Sequence, residues 1–127
     1  MRKVLVVDND SGFSALLSAL LIRKGGFQVL EASSLAEASS HCAENRFDLV
    51  FLDHKLSDGI GWEIAEMISL NPQKYGNPKI VVMSGSVPQE KAVKSGIHYS
   101  QFMPKPFEVA QVNGILEKIP EEPSNRN

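Results

Sequence analysis

Polar groups capable of chemistry recur at matching places in this chain, each at the end of a short apolar run. "VLVV" (4–7) leads into Asp8, Asn9 and Asp10. "LVFL" (49–52) stops at Asp53, "IVVM" (80–83) at Ser84, and "QFM" (101–103) runs through Pro104 into Lys105. Clustered carboxylates repel one another unless a cation lies among them. Hard oxygen donors with one or two carboxylates and room for water suit Mg²⁺. A lysine adds a second positive charge, and a serine hydroxyl with backbone N–H groups can hold an anion. Acid, magnesium, hydroxyl and lysine together suit phosphoryl transfer, which depends on positioning and charge neutralisation. In that chemistry the Asp53 carboxylate is the nucleophile and the product is an aspartyl phosphate.

These groups act together only if the fold brings the ends of the apolar runs to one rim. Val4 to Val7 reads as a short strand. Phe13, Leu16, Leu17, Leu20 and Leu21 then recur at helical spacing, with Asp10 or Ser11 as the cap and Gly25-Gly26 as the stop. "FQVLEA" (27–32) alternates like a strand open to solvent on one face. Ser33 or Ser34 caps a second helix carrying Leu35, Ala38 and Cys42. The run ending at Asp53 is the third strand, and Ile60, Ile64, Met67 and Ile68 mark a third helix that ends near Asn71-Pro72. "QKYGNP" (73–78) reads as a loop and "KIVVMS" (79–84) as a buried strand. Ser86 with Gln89 forms a capping box, Pro88 suits a first helical turn, and Gly96 ends that fourth helix. "QFM" (101–103) is the fifth strand, and Val109, Val112, Leu116 and Ile119 line a fifth helix. The polar tail 120–127 lies beyond the expected domain, 1–119, and reads as disordered.

Five βα units in about 119 residues predict an α/β fold: a doubly wound parallel sheet with helices on both faces. Ligands in such sheets collect at the carboxyl ends of the strands, where the strand order reverses. For the flavodoxin-like order 2-1-3-4-5 that point falls between the first and third strands, the two that end at Asp8 and Asp53.

Composition narrows the alternatives. The chain has 127 residues, 43% hydrophobic and 22% charged, with a formal net charge of -2. That suits one soluble domain and gives no basic field for nucleic acid. Neither G-x-x-x-x-G-K nor G-x-G-x-x-G occurs, which argues against nucleotide binding. The N-terminal apolar run is too short for a signal peptide and no segment has the length of a membrane helix, so a cytoplasmic location is expected. Cys42 is the only cysteine and falls in a helical pattern, as a buried apolar side chain would. His41, His54 and His98 are scattered singly and form no metal set. The side chain of His54 is expected on the face of the strand opposite Asp53. Asp10 reads as a helix cap, and Trp62 as a partly exposed cover near the site.

The motifs "VLVVDND", "DLVFLDHKLSDGIGWE", "VVMSGS" and "FMPKPF", in this order and spacing, resemble the receiver domain of two-component response regulators. The resemblance implies that Asp53 accepts a phosphoryl group from a sensor histidine kinase or a histidine phosphotransfer protein. It implies that Asp8, Asn9, Asp53 and the backbone carbonyl of Lys55 hold Mg²⁺. Ser84 matches the hydroxyl that bonds the phosphoryl oxygen, Lys105 the partner lysine, with a cis bond to Pro106, and Phe102 the aromatic that turns inward when Ser84 is drawn to phosphate. The fourth helix, fifth strand and fifth helix are then the surface shown to a separate effector, with the domain a monomer or weak dimer. Such a domain catalyses its own phosphorylation and dephosphorylation and is not a conventional enzyme.

Departures from the pattern keep a second reading in view. Asn9 stands where the family most often has Asp, Ser57 where Pro is usual, Gly85 where Ala is more common, and Phe102 lacks the tyrosine hydroxyl. Loss of a metal-pocket charge at Asn9 is compatible with a phosphorylation-independent pseudo-receiver. An Asp-dependent phosphatase is disfavoured, because such enzymes carry a second acid two residues beyond the nucleophile, and that position here is Lys55.

Overall fold

Alternation of strand and helix dominates the chain. The computed structural model describes residues 2–84, 101–105 and 107–119, with Ser84, Gln101, Phe102 and Pro104 described by their backbone alone. In chain order the elements are β1 (Arg2–Val7), α1 (Ser11–Lys24), β2 (Phe27–Ala32), α2 (Leu35–Glu44), β3 (Leu49–Asp53), β4 (Lys55–Leu56), β5 (Gly59–Ile60), α3 (Trp62–Leu70), α4 (Pro72–Tyr75), β6 (Lys79–Ser84), β7 (Gln101–Pro104) and α5 (Val109–Glu117). Five strands pair in parallel in the order β2-β1-β3-β6-β7. With the small β4–β5 hairpin set aside, this is the predicted 2-1-3-4-5.

Side chains alternate between the two faces of a strand, and here both faces are covered. Leu5, Val7, Val50, Leu52, Ile80 and Val82 pack against Ala38 and Cys42 of α2 and Ile64, Ala65 and Ile68 of α3. Val4, Val6, Leu49, Phe51, Val81, Met83 and Met103 pack against Leu17 and Leu21 of α1 and Val112, Ile115 and Leu116 of α5. Double coverage is why β1, β3 and β6 read as continuous apolar runs. Burial of each such aliphatic side chain is worth ~1.5–3 kcal/mol.

Caps follow the predicted chemistry. Asp10 caps α1, accepting the Phe13 N–H at 3.1 Å. Ser34, not Ser33, caps α2, accepting the Glu37 N–H at 3.1 Å, while the Glu37 carboxylate reaches back to Ser33 N–H at 3.1 Å. Glu108 and Gln111 form a reciprocal capping box on α5 that the sequence reading passed over.

Several expectations are corrected. Leu16 is 57% exposed; the stripe of α1 that faces the sheet is Ser14, Leu17, Ser18 and Leu21. Two small serines let the helix lie close to the sheet, a choice that hydrophobicity alone does not reveal. Ile60 lies in β5 and is exposed, not on α3. Residues 72–75 form the short helix α4 where a loop was expected, with Pro72 at its first position. Val109 starts α5 but is half exposed. Trp62 is buried at 7% exposure, not a partly exposed cover. It opens α3 immediately after Gly61, so its ring turns into the core beneath the hairpin. The capping-box reading at Ser86 and Gln89, Pro88, the Gly96 stop, the Lys105–Pro106 bond and the tail 120–127 lie outside the described residues. No helix among the described residues is long and apolar enough to cross a membrane.

Candidate functional site

Register decides which strand-end groups meet. Val7 pairs with Leu52, Leu52 with Val82, and Val82 with Phe102. Asp8 and Asp53 are therefore the next residues beyond one level row. Period-two alternation puts both on the face of Val4, Val6, Leu49 and Phe51, the face covered by α1 and α5. Lys105 follows Met103 by two and returns to that same face. The sequence thus aims two acids and one base to the same face at the ends of adjacent strands.

The side chains meet accordingly. Lys105 Nζ lies 2.6 Å from Asp8 Oδ2 and 3.4 Å from Asp53 Oδ1. Asp8 is 1% exposed and Asp53 8%. Asp8 Oδ1 accepts the backbone N–H of Asp10 at 2.8 Å. Burial first, and the neighbouring Asp8 carboxylate second, push the Asp53 carboxyl above its ordinary range; the Lys105 ammonium and a backbone N–H from His54 pull it back. The two buried carboxylates thus share one ammonium.

Behind Asp53 the chain folds sharply back. Residues 55–60 form the β4–β5 hairpin, pairing Lys55 with Ile60 and Leu56 with Gly59. The Gly61 N–H then donates to the His54 carbonyl at 2.7 Å. A Cβ at Gly61 would sit 1.9 Å from the Asp53 carbonyl oxygen, so only glycine allows this return. His54 stands next to the Asp53 carboxylate in sequence but packs edge-on against Trp62, ring centroids 4.6 Å apart. Trp62 belongs to the opposite core cluster, so the expectation that His54 points away from Asp53 holds.

Of the residues singled out from sequence, the structure brings Asp8, Asp53 and Lys105 together. Asn9 is exposed in the turn between β1 and α1, and Lys55 is exposed on the hairpin. Ser84 ends β6 and pairs through its backbone with Pro104, one residue before Lys105. The side chains of Ser84 and Phe102 lie outside what the structure describes. Cys42 is buried in the core, where desolvation pushes its thiol up to about 11, far from a reactive thiolate.

Two further groups at the site carry no motif of their own. Phe13 belongs to the apolar spacing of α1, yet Lys105 Nζ lies 4.3 Å from its ring centroid, and Phe107 meets the same ring edge-on at 5.2 Å. Asp58 lies in the hairpin turn, and its carboxylate caps α2 through the Leu35 and Ala36 N–H groups. A phenylalanine in the first turn after an acidic loop, with another two residues past the lysine, was the available signal for the first.

Among the described residues no three acidic, imidazole or thiol side chains converge as a metal-binding group. Two adjacent buried carboxylates that share one ammonium, with amide and carbonyl oxygens nearby in the chain, still fit Mg²⁺. That ion takes one or two carboxylates and keeps several waters.

Comparison with known proteins bears on family and fold. The family model described as "Response regulator receiver domain" matches residues 4–117. The chain is similar to the chemotaxis protein CheY of Thermotoga maritima, 31% identical over 123 residues, covering 93% of this chain and 97% of that one. It is also similar to the sensory transduction protein LytT of Bacillus anthracis, 32% identical over 123 residues; there the match covers 96% of this chain but 44% of the relative's length. Among solved structures, the non-phosphorylated HemR receiver domain from Leptospira biflexa superposes with a TM-score of 0.78 at 28% identity, covering 97% of this chain and 98% of that one. The chain belongs to the receiver-domain family of two-component response regulators, phosphorylation-controlled signalling switches that are modified on aspartate, generally bind Mg²⁺ there, and work with sensor histidine kinases and downstream effectors.

Proposed function

We propose that Asp53 is the phosphoacceptor of this receiver and that Lys105 and Asp8 are its electrostatic partners. The observation that carries this reading is the Lys105 ammonium, 2.6 Å from Asp8 Oδ2 and 3.4 Å from Asp53 Oδ1. An Asp53 oxygen attacks the phosphorus of a phosphohistidine on a sensor kinase or phosphotransfer protein. The P–N bond breaks, and the imidazole leaves and takes up a proton. Lys105 meets the charge that arrives with the phosphoryl group, and Ser84 supplies a hydroxyl to one of its oxygens. Asp8, Asn9, Asp53 and the Lys55 carbonyl would hold Mg²⁺, which when bound neutralises phosphoryl charge.

Phosphorylation adds a charge near −2 and strong acceptor oxygens. Ser84 and Phe102 carry that change toward a surface that includes β7 and α5, where a downstream effector docks. The domain, 1–119, works in the cytoplasm as a monomer or weak dimer and speeds its own phosphorylation and dephosphorylation.

Intact mass after treatment with acetyl phosphate and Mg²⁺ tests the assignment. Wild type should gain one phosphoryl group and Asp53→Asn none; unchanged labelling of the variant would sink it. Asn9 favours a second reading, a pseudo-receiver that signals without phosphate. Absence of label on wild type, with effector binding retained, would select that reading.

A further inference from the structure

A closed circuit of contacts runs through the rim of the site. Asp8 Oδ1 accepts the Asp10 N–H at 2.8 Å, and Asp10 Oδ1 accepts the Phe13 N–H at 3.1 Å. The Phe13 ring lies under the Lys105 ammonium at 4.3 Å, and that ammonium returns to Asp8 Oδ2 at 2.6 Å. Phe107 abuts the Phe13 ring edge-on, at 5.2 Å and 87°, and fixes its plane. The helix cap that starts α1 thereby sets the backbone of the residue whose ring seats the lysine.

The geometry points to Phe13 as a positioning residue for phosphoryl transfer: its ring face holds the Lys105 ammonium between Asp8 and Asp53 before the phosphoryl group arrives. This rests on the assignment of Asp53 as acceptor. A lysine side chain is a flexible stem with many rotamers, and the Lys105 side chain is 21% exposed, so solvent competes for it. Two carboxylates alone restrain its distance but little of its direction. An aromatic face draws a cation by its quadrupole and excludes water on that side. Because Asp8 is nearer than Asp53, the seat also keeps the ammonium from closing fully on the acceptor oxygen that must attack. Catalytic charge stabilisation depends on groups that are in place before the reaction and need not reorganise. A leucine would fill the same half-buried space without attracting the cation.

The first test is independent of phosphorylation. In proton–carbon NMR of wild type, the Lys105 ε-methylene protons, assigned by their loss in Lys105→Ala, should be displaced upfield by the Phe13 ring current. Phe13→Leu should remove the displacement and Phe13→Tyr keep it. The second test is the rate of labelling by acetyl phosphate at saturating Mg²⁺. Phe13→Leu should lower the maximal rate about 3- to 10-fold, within the range that cation–π contacts support, with the half-saturating donor concentration unchanged. Phe13→Tyr should stay within about twofold of wild type on the same basis, and it also serves where the leucine variant folds poorly.

Wild-type protons at ordinary shifts overturn the seat itself. A normal ring-current displacement with an unchanged maximal rate in Phe13→Leu overturns the positioning role, as does an equal loss in Phe13→Tyr. If the displacement is present and no variant, wild type included, takes a phosphoryl group, the acceptor assignment fails and the kinetic role fails with it, while the seat stands.

Discussion

The carboxylate of Asp58 accepts the backbone N–H of Leu35 at 2.8 Å, across 23 positions of sequence, and with its other oxygen the N–H of Ala36 at 3.1 Å. Those two donors are orphans of the first turn of α2. The acid comes from the turn of the β4–β5 hairpin that folds back behind Asp53. Gly59 completes the junction: a Cβ there would meet Leu35 Cδ1 at 2.5 Å. One side chain therefore ties the loop after Asp53 to the start of α2.

The Leu35 N–H, above all, holds the Asp58 carboxyl below its ordinary value. A carboxyl depressed in the folded state stabilises above its unfolded pKa, and that stabilisation is lost as pH falls through the folded pKa. Acidification below the ordinary aspartate range should therefore loosen the start of α2. Asp58→Ala should speed hydrogen exchange at Leu35 and Ala36 at neutral pH and remove the acid dependence of those amides. Exchange at both amides as slow as in wild type would show that the contact does not hold the helix.

Asp53 has the opposite sign. Its carboxyl is raised by burial and by Asp8, so the folded state binds its proton more tightly than the unfolded chain does. Stability from this group is present at low pH and is lost as pH rises through the raised folded value. Asp53→Asn should accordingly melt higher than wild type at pH 7, with the gap shrinking as pH is lowered toward 4. Added Mg²⁺ should raise the wild-type melting temperature more than that of the variant, because the carboxylate that suffers from crowding is the one a cation relieves. Thermal melts at several pH values decide the point, and equal wild-type and variant melting at pH 7 would contradict it.

How much of this the sequence revealed follows from which forces are local. The sheet order, the strand ends and the meeting of Asp8, Asp53 and Lys105 were readable because alternation with period two and parallel register leave few options. The Asp58–Leu35 tie was not readable, because nothing local relates residue 58 to residue 35; only the placement of the hairpin does. Trp62 was misjudged for a similar reason. Its position on a helical wheel says nothing of Gly61, whose close approach to the Asp53 carbonyl turns the start of α3 inward. Ser14 and Ser18 escaped notice because they are buried for their small size and not for their polarity. Phe13 showed its apolar ring to the pattern and concealed its cationic neighbour.

Lys55 is exposed on the hairpin two residues beyond Asp53. A long cation near the acceptor should shield an aspartyl phosphate from attacking water and favour its negative charge. One unit charge about 4 Å from another in water is worth ~1 kcal/mol, or about fivefold in rate. Lys55→Ala should therefore lose its phosphoryl group about fivefold faster than wild type on that estimate. Loss of label followed by intact mass after removal of donor measures it; a slower or equal rate in the variant argues against shielding.

Asn9 is where this chain departs most consequentially from the pattern that the resemblance implies. The amide still offers an oxygen to a metal but no negative charge, and ligand charge is a main control on hard-cation affinity. Asp8 and Asp53 then supply two formal charges, and Lys105 already lies against both. No third acid converges there among the described residues, so Asn9 is the position at which one can be restored. A unit charge ~4 Å from a divalent ion at an effective dielectric near 20 is worth several kcal/mol before desolvation. Desolvation and added repulsion among carboxylates offset most of that, leaving about 1 to 2 kcal/mol. Asn9→Asp should tighten Mg²⁺ binding roughly 5- to 30-fold. It should also raise the Asp53 carboxyl further in the metal-free protein, since a like charge nearby disfavours ionisation. Titration calorimetry measures the affinity directly. Trp62 gives a second readout, because its ring touches His54, the residue next to Asp53. Wild type binding Mg²⁺ as tightly as Asn9→Asp would show that ligand charge does not limit this pocket and that Lys105 leaves it freely when the cation enters.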